Sequence, residues 1–140
     1  METQAHIPRY SLNEEEEKKL ILREYRSLLK VLKSKLKPGD KNLIRNAFEM
    51  AAEAHKTMRR KSGEPYILHP IAVAKICVEE IGLGPTAVIC ALLHDVVEDT
   101  HVSLKEIHDQ FGDKIARIVD GLTKLDGLHD SESPQAENLS

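Results

Sequence analysis

The chain has 140 residues, a length typical of one domain, and its hydrophobic share of 41% and charged share of 31% exclude a disordered or low-complexity chain. With 20 Lys and Arg against 23 Asp and Glu, the net charge is −3, and the chain has no Trp, three Tyr and two Phe. We therefore expect no nucleic-acid binding, which needs an excess of basic residues or aromatic stacking platforms.

The N-terminal part predicts a loose leader over residues 1–10 followed by one helix. Ser11 with Glu14 forms a capping-box pattern at the start of this helix, and Pro38-Gly39 ends it. The acidic run Glu14–Glu17 is interpreted as a solvated first turn, where a helix favours negative charge. This part, residues 1–38, is predicted to be separate from the domain that follows.

The remainder of the chain shows helical periodicity and no sustained strand alternation, so the predicted fold class is all-α. The second helix is expected from Asp40 to about Met58, and a Gly- and Pro-containing loop follows it. The other predicted helices run from His69-Pro70 to about Gly82, over 86–99, from a capping box of Ser103 and Glu106 to Phe111-Gly112, and over 114–125.

No feature predicts secretion or membrane insertion. Cys77 and Cys90 lie in apolar stretches and are too few for a disulfide framework, so free thiols are expected. The N-terminus lacks the layout of a signal peptide, and the longest near-apolar run, 87–93, is too short to span a bilayer. These features indicate a soluble cytoplasmic protein.

The predicted fourth helix separates an apolar face from a cluster of ionisable residues. Steps of about 100° per residue place four side chains within about 140° of one another: His94, Asp95, Glu98 and Asp99. No Lys or Arg lies between residues 90 and 101, although a solvated face usually intersperses cations to limit repulsion. A divalent cation such as Mn²⁺, Fe²⁺ or Zn²⁺ would compensate this charge. A solvated acidic face is the alternative.

Two features that precede this helix are further candidates. His69, directly before Pro70, is the best outside metal ligand, and a helix cap or a partly buried structural His is its alternative. The loop with Arg60, Lys61 and Ser62 either is solvated or binds an anionic ligand, because Arg can donate in a planar fork or stack on a base. The other histidines are expected at the surface: His6, His55, His101, His108 and His129.

Several separate stretches closely resemble the hydrolase domain of RelA/SpoT homologues, the enzymes that make and degrade the alarmones ppGpp and pppGpp. They are RKSGEPYILHP at 60–70, ALLHDVVEDT at 91–100, Phe111-Gly112 and VDGLTKL at 119–125. The match runs over roughly residues 40–138 in the same order. The family belongs to the HD-domain phosphohydrolases, so the resemblance implies an all-helical, metal-dependent hydrolase domain over 39–140.

The resemblance also implies a reaction and its residues. The reaction is hydrolysis of the 3′-pyrophosphate of ppGpp or pppGpp to GDP or GTP plus pyrophosphate. The resemblance implies that three of four Mn²⁺ ligands are His69, His94 and Asp95. It implies that Glu98 and Asp99 act on the attacking water and the departing pyrophosphate. It also implies a nucleotide-binding role for Arg60, Lys61 and Ser62, with Arg60 stacked on the guanine.

One departure from the family pattern concerns the fourth ligand, an Asp on a helix well downstream of residues 123–125. Asp126, Asp130 and Glu132 follow too soon, so this ligand is expected beyond residue 140. The chain is then an N-terminal fragment of a longer, bifunctional enzyme, expected to bind metal weakly and hydrolyse little alarmone.

Such a fragment would expose apolar surface at the edges of the fourth helix, at Leu92 and Val97, through which two copies could form a dimer. Two other functions remain open. One is a non-catalytic structural or regulatory domain of a synthetase-only RelA-type protein, which the intact His94-Asp95 and Glu98-Asp99 pairs disfavour. The other is a stand-alone small alarmone hydrolase.

Overall fold

The computed structural model describes residues 11–131, with side chains over 11–125. This part of the chain contains six α-helices and no strand: α1 (Glu14–Leu32), α2 (Asp40–Ala54), α3 (Leu68–Glu79), α4 (Pro85–Asp99), α5 (Leu104–Phe111) and α6 (Asp113–Ser131). A 3-10 turn, Lys33–Lys35, follows α1. The predicted all-α fold is confirmed, whereas the predicted leader at 1–10 lies outside the described residues. No described helix combines the length and apolar character needed to cross a membrane.

The first capping box differs from the prediction. The Asn13 side chain accepts the Glu16 N–H at 2.8 Å, and the Glu16 carboxylate accepts the Asn13 N–H at 2.9 Å. The prediction of Ser11 with Glu14 was wrong because Asn caps a helix as well as Ser does, and two overlapping patterns compete here. The second box, Ser103 with Glu106, is confirmed.

α4 is the central helix of the bundle. It packs against α2, α3 and α6, while α1 packs on α3 and α5 on α6. Its buried residues are Val88, Ile89, Cys90, Leu92, Leu93 and Val96. The position of α4 is therefore determined by three neighbours, and the polar residues near its C-terminal end are held on a rigid element.

The expected exposed edge at Leu92 is absent, because this side chain is only 1% exposed. The prediction was wrong because neighbouring helices enclose more of α4 than the apolar arc alone suggested. The exposed large apolar side chains lie mainly on α3, on the turn after it and on α6: Val73, Ile76, Ile81, Leu83, Ile118 and Leu125. Dimer formation through exposed apolar surface stays a prediction.

α1 contributes to the same hydrophobic core as the later helices. Leu28 and Leu32 are fully buried, and the Tyr25 ring stacks on Phe48 of α2 with ring centroids 4.2 Å apart. Removal of α1 would therefore expose core surface, while the predicted domain boundary after residue 38 stays a prediction.

Leu93→Ala is expected to lower the free energy of unfolding by about 2–5 kcal/mol, because it leaves a cavity in the centre of the bundle. The Leu93 side chain is fully buried. Leu22→Ala is the matched control, since Leu22 is 43% exposed and its loss should change the free energy by less than about 0.5 kcal/mol. Urea unfolding followed by circular dichroism measures both. Equal losses would contradict this account of the core.

Candidate metal centre

Three side chains of α4 bring potential metal ligands together. His94 Nδ1 lies 3.4 Å from Asp95 Oδ1, and His94 Nε2 lies 3.8 Å from Glu98 Oε2. One ligand atom from each residue lies within 4.8 Å of the other two, so small side-chain movements would bring all three to one ion. The side chains are 28%, 23% and 27% exposed. They are partly withdrawn from water and still accessible to a substrate.

Tyr66, in the loop before α3, orients Asp95. Its hydroxyl donates a hydrogen bond to Asp95 Oδ2, while Oδ1 lies towards His94. Burial and this hydrogen bond raise the pKa of Tyr66 far above its ordinary value, so the phenol stays protonated and remains a donor. A partner of this kind fixes the orientation of a metal-binding carboxylate. From the sequence, Tyr66 was only part of the motif at 60–70, and no role was predicted for it.

His55 is buried, at 1% exposure, so the prediction of a surface position was wrong. It follows the last residue of α2, which therefore ends before the predicted Met58. Nδ1 lies 3.1 Å from the Ala51 carbonyl oxygen. Helical spacing carries a signal for this burial, because the buried stripe of Ile44 and Ala51 continues to position 55.

His55 lies behind the acidic residues of α4. Its Nε2 is 3.4 Å from Asp99 Oδ2, an ion-pair distance without hydrogen-bond geometry. Its ring packs against Tyr66, with centroids 4.7 Å apart. The two predicted catalytic carboxylates therefore have different surroundings, since Glu98 faces His94 and Asp99 faces α2.

A cleft of about 570 Å³ lies between α3, α4 and α6. His69, His94 and Asp95 are part of its wall, which is otherwise largely apolar. Cys77 and Cys90 are free thiols that also line it. Burial raises the pKa of Cys90 to about 11, so this thiol stays protonated and behaves as an apolar group.

The structure brings the three predicted metal ligands to one cleft, but it does not group them equally closely. Within the described residues, the close set of ligand atoms contains Glu98 and not His69. Burial and the nearby charge of Arg60 lower the pKa of His69 against the opposing effect of Asp95. At neutral pH this imidazole is therefore uncharged, which is the form that binds metals.

The basic loop folds back on itself. The Arg60 N–H donates to the Glu64 carbonyl at 3.0 Å, and the Gly63 N–H donates to the Arg60 carbonyl at 2.8 Å. Gly63 has a φ of 106°, in the left-handed region that favours glycine. Ser62 Oγ donates to Glu64 Oε1 at 2.6 Å, and this bond lowers the pKa of Glu64. Lys61 and Ser62 are exposed, and Arg60 is half-buried.

Of the three predicted nucleotide-binding residues, Arg60 interacts electrostatically with His69 in the wall of the cleft. Its charge lowers the pKa of His69 and acts in the same direction on Tyr66. None of the three is among the described residues that line the cleft. The loop therefore lies beside the candidate metal centre, and a ligand would have to extend between them.

The donor set fits a divalent cation. One neutral imidazole with two carboxylates would carry two negative charges in close proximity, and this mixture of nitrogen and oxygen ligands suits Mn²⁺, Fe²⁺ or Zn²⁺. The hydrogen bond from Tyr66 to Asp95 supplies the outer support that such ligands usually have.

The described helices form an all-α bundle whose central helix carries adjacent His and Asp residues beside an open cleft. The family model described as HD domain matches residues 47–140, and the chain belongs to this family.

The chain is also similar to much longer curated proteins. It is 40% identical over 117 residues to the bifunctional (p)ppGpp synthase/hydrolase SpoT of Escherichia coli K12, which is 82% of this chain and 16% of that protein. It is 45% identical over 95 residues to a guanosine-3′,5′-bis(diphosphate) 3′-pyrophosphohydrolase of Aquifex aeolicus (68% and 13%). It is 42% identical over 98 residues to a probable GTP pyrophosphokinase of Mycobacterium leprae (70% and 12%). The resemblance to RelA/SpoT homologues is confirmed, and the chain spans 12–16% of these relatives.

Proposed function

We propose that this chain forms the hydrolase part of an alarmone-degrading enzyme, which adds water to ppGpp or pppGpp and releases GDP or GTP plus pyrophosphate. The observation that supports this most directly is the close group of His94, Asp95 and Glu98 at the edge of the cleft. The substrate class comes from the names of the E. coli and A. aeolicus relatives.

His69, His94 and Asp95 would hold one Mn²⁺, with a fourth protein ligand expected beyond residue 140. When bound, the ion would supply positive charge that neutralises the phosphoryl oxygens of a highly anionic substrate. Tyr66 keeps Asp95 in place for this task through its hydrogen bond.

Glu98 and Asp99 would act on water and protons, since carboxylates repel phosphate. Glu98 faces His94 in the close ligand group, so we assign it the orientation and deprotonation of the attacking water. Asp99 lies on the same helix, on the side towards α2, where it faces His55. We assign it proton transfer that assists the departure of the pyrophosphate.

Arg60→Ala is expected to weaken the binding of ppGpp by about 1–3 kcal/mol, the range for losing a stacking partner of a base. The binding of Mn²⁺ should not change. Calorimetric titration with each ligand measures both effects. Arg45→Ala is the control, because Arg45 is an exposed residue of α2 paired with Glu49. Equal ppGpp affinity in the wild type and Arg60→Ala would contradict a role of the loop in nucleotide binding and favour the solvated alternative.

The proposed function is tested by incubating the chain with ppGpp and Mn²⁺ and separating the nucleotides by anion exchange. Release of GDP and pyrophosphate that requires the metal would support the proposal. Binding of ppGpp without product, in this chain and in any longer protein that contains it, would indicate the non-catalytic alternative. Hydrolysis by such a longer protein that far exceeds hydrolysis by this chain would agree with the proposed fourth ligand downstream.

A further inference from the structure

Glu17 on α1 and Arg59 at the start of the basic loop form a two-point ion pair. Arg59 Nη1 donates to Glu17 Oε2 at 2.5 Å, and Nη2 donates to Glu17 Oε1 at 3.0 Å. The Glu17 side chain is only 10% exposed.

The predicted solvated first turn is confirmed for Glu14–Glu16, which are exposed, and wrong for Glu17. Glu17 shares the inward face of α1 with Tyr25 and Leu28, eight and eleven residues further on.

Arg59 connects this pair to the backbone of the loop. Its Nη1 also donates to the Gly63 carbonyl at 3.3 Å, and Arg59 forms a β-bridge with Pro65. Arg60 comes next, and its N–H and carbonyl make the two hydrogen bonds that close the turn. One guanidinium therefore joins α1 to the segment that presents Arg60.

The ion pair is a strong contact for an otherwise exposed turn. A bidentate pair between Arg and a carboxylate is stronger than neutral hydrogen bonds and fixes geometry as well. A carboxylate so little exposed regains little hydration when its partner is removed. The family match begins at residue 47, so α1, which supplies the carboxylate, lies outside it.

We propose that Glu17, acting through Arg59, is a positioning residue for the basic loop. We propose further that α1 thereby influences the affinity of the site for the guanosine nucleotide. The effect on affinity rests on the proposed function, whereas the effect on the loop does not. A displacement of α1 would then change nucleotide binding while the metal centre on α4 stayed intact.

The loop itself is tested by amide hydrogen exchange, measured by NMR, in the wild type and Glu17→Gln. The amides of Arg60 and Gly63 should exchange roughly 10-fold faster or more in the variant, the range for losing a hydrogen bond to a charged group. Glu24→Gln is the matched control, because Glu24 pairs with Lys75 and links α1 to α3 without touching the loop. Equal exchange in Glu17→Gln and the control would overturn the proposal.

A conservative variant and nucleotide titration complete the test. Glu17→Asp keeps a carboxylate for the Arg59 guanidinium, which still donates to the Gly63 carbonyl, so exchange in this variant should stay slower than in Glu17→Gln. It also covers the case in which Glu17→Gln folds poorly, and equally fast exchange in both variants would count against the pair. In calorimetry, Glu17→Gln should weaken ppGpp binding roughly 10-fold and leave Mn²⁺ affinity unchanged. Unchanged ppGpp affinity would overturn the influence of α1. A wild type that does not bind ppGpp would contradict the proposed function, while the exchange data still decide the role of Glu17.

Discussion

His94→Ala and Asp95→Ala are each expected to abolish specific Mn²⁺ binding and the metal-dependent release of pyrophosphate from ppGpp. Each variant removes one of the three assigned ligands, His69, His94 and Asp95, and the two that remain no longer enclose an ion. Metal binding is measured by calorimetric titration of the purified chain, and product release is measured in the longest active form of the protein. Circular dichroism checks that the helices persist.

α5 offers a matched control for this experiment. His108 Nδ1 lies 3.6 Å from Asp109 Oδ1, and His108 Nε2 lies 3.8 Å from Asp113 Oδ1. The spacing is close to that at His94, but these side chains are 54–65% exposed, and Lys105 pairs with Asp109. His108→Ala should therefore change neither metal binding nor hydrolysis. Near-normal hydrolysis in both His94→Ala and Asp95→Ala would contradict the proposed metal centre on α4.

Glu98→Gln is expected to slow turnover by roughly 10²–10⁴, the usual range for losing general acid–base assistance. Gln has nearly the same shape as Glu but cannot accept the proton of the attacking water. Most Mn²⁺ binding should remain, since the assigned ligands are His69, His94 and Asp95. The two readouts are the turnover number at saturating ppGpp and the Mn²⁺ affinity of the same preparation.

Metal affinity decides between two roles for Glu98. Its carboxylate lies in the close ligand group while His69 does not, so a metal affinity that falls as sharply as turnover would make Glu98 a ligand and contradict its assignment as a base. Glu53→Gln is the control, because Glu53 is exposed and pairs with Lys56. It should leave both quantities unchanged.

The helices and the composition of the α4 face were predictable from sequence, because the physics that determines them is local. Apolar residues at helical spacing, Gly and Pro at the ends and a Ser-x-x-Glu cap operate within one or two turns. The same spacing predicted His94, Asp95, Glu98 and Asp99 on one side of α4. The structure groups His94, Asp95 and Glu98 closely, whereas Asp99 lies against His55. Local competition also explains the error at Asn13, where two capping patterns overlap.

Only the tertiary structure decided which partner each polar residue has. The contacts Glu17–Arg59 and Tyr66–Asp95 join residues 42 and 29 positions apart, and His55 meets Asp99 only because α2 packs on α4. An ionisable side chain is buried when packing supplies a partner that offsets its lost hydration. Periodicity along one helix contains no information about that partner, which is why Glu17 and His55 were predicted to be solvated and are buried instead.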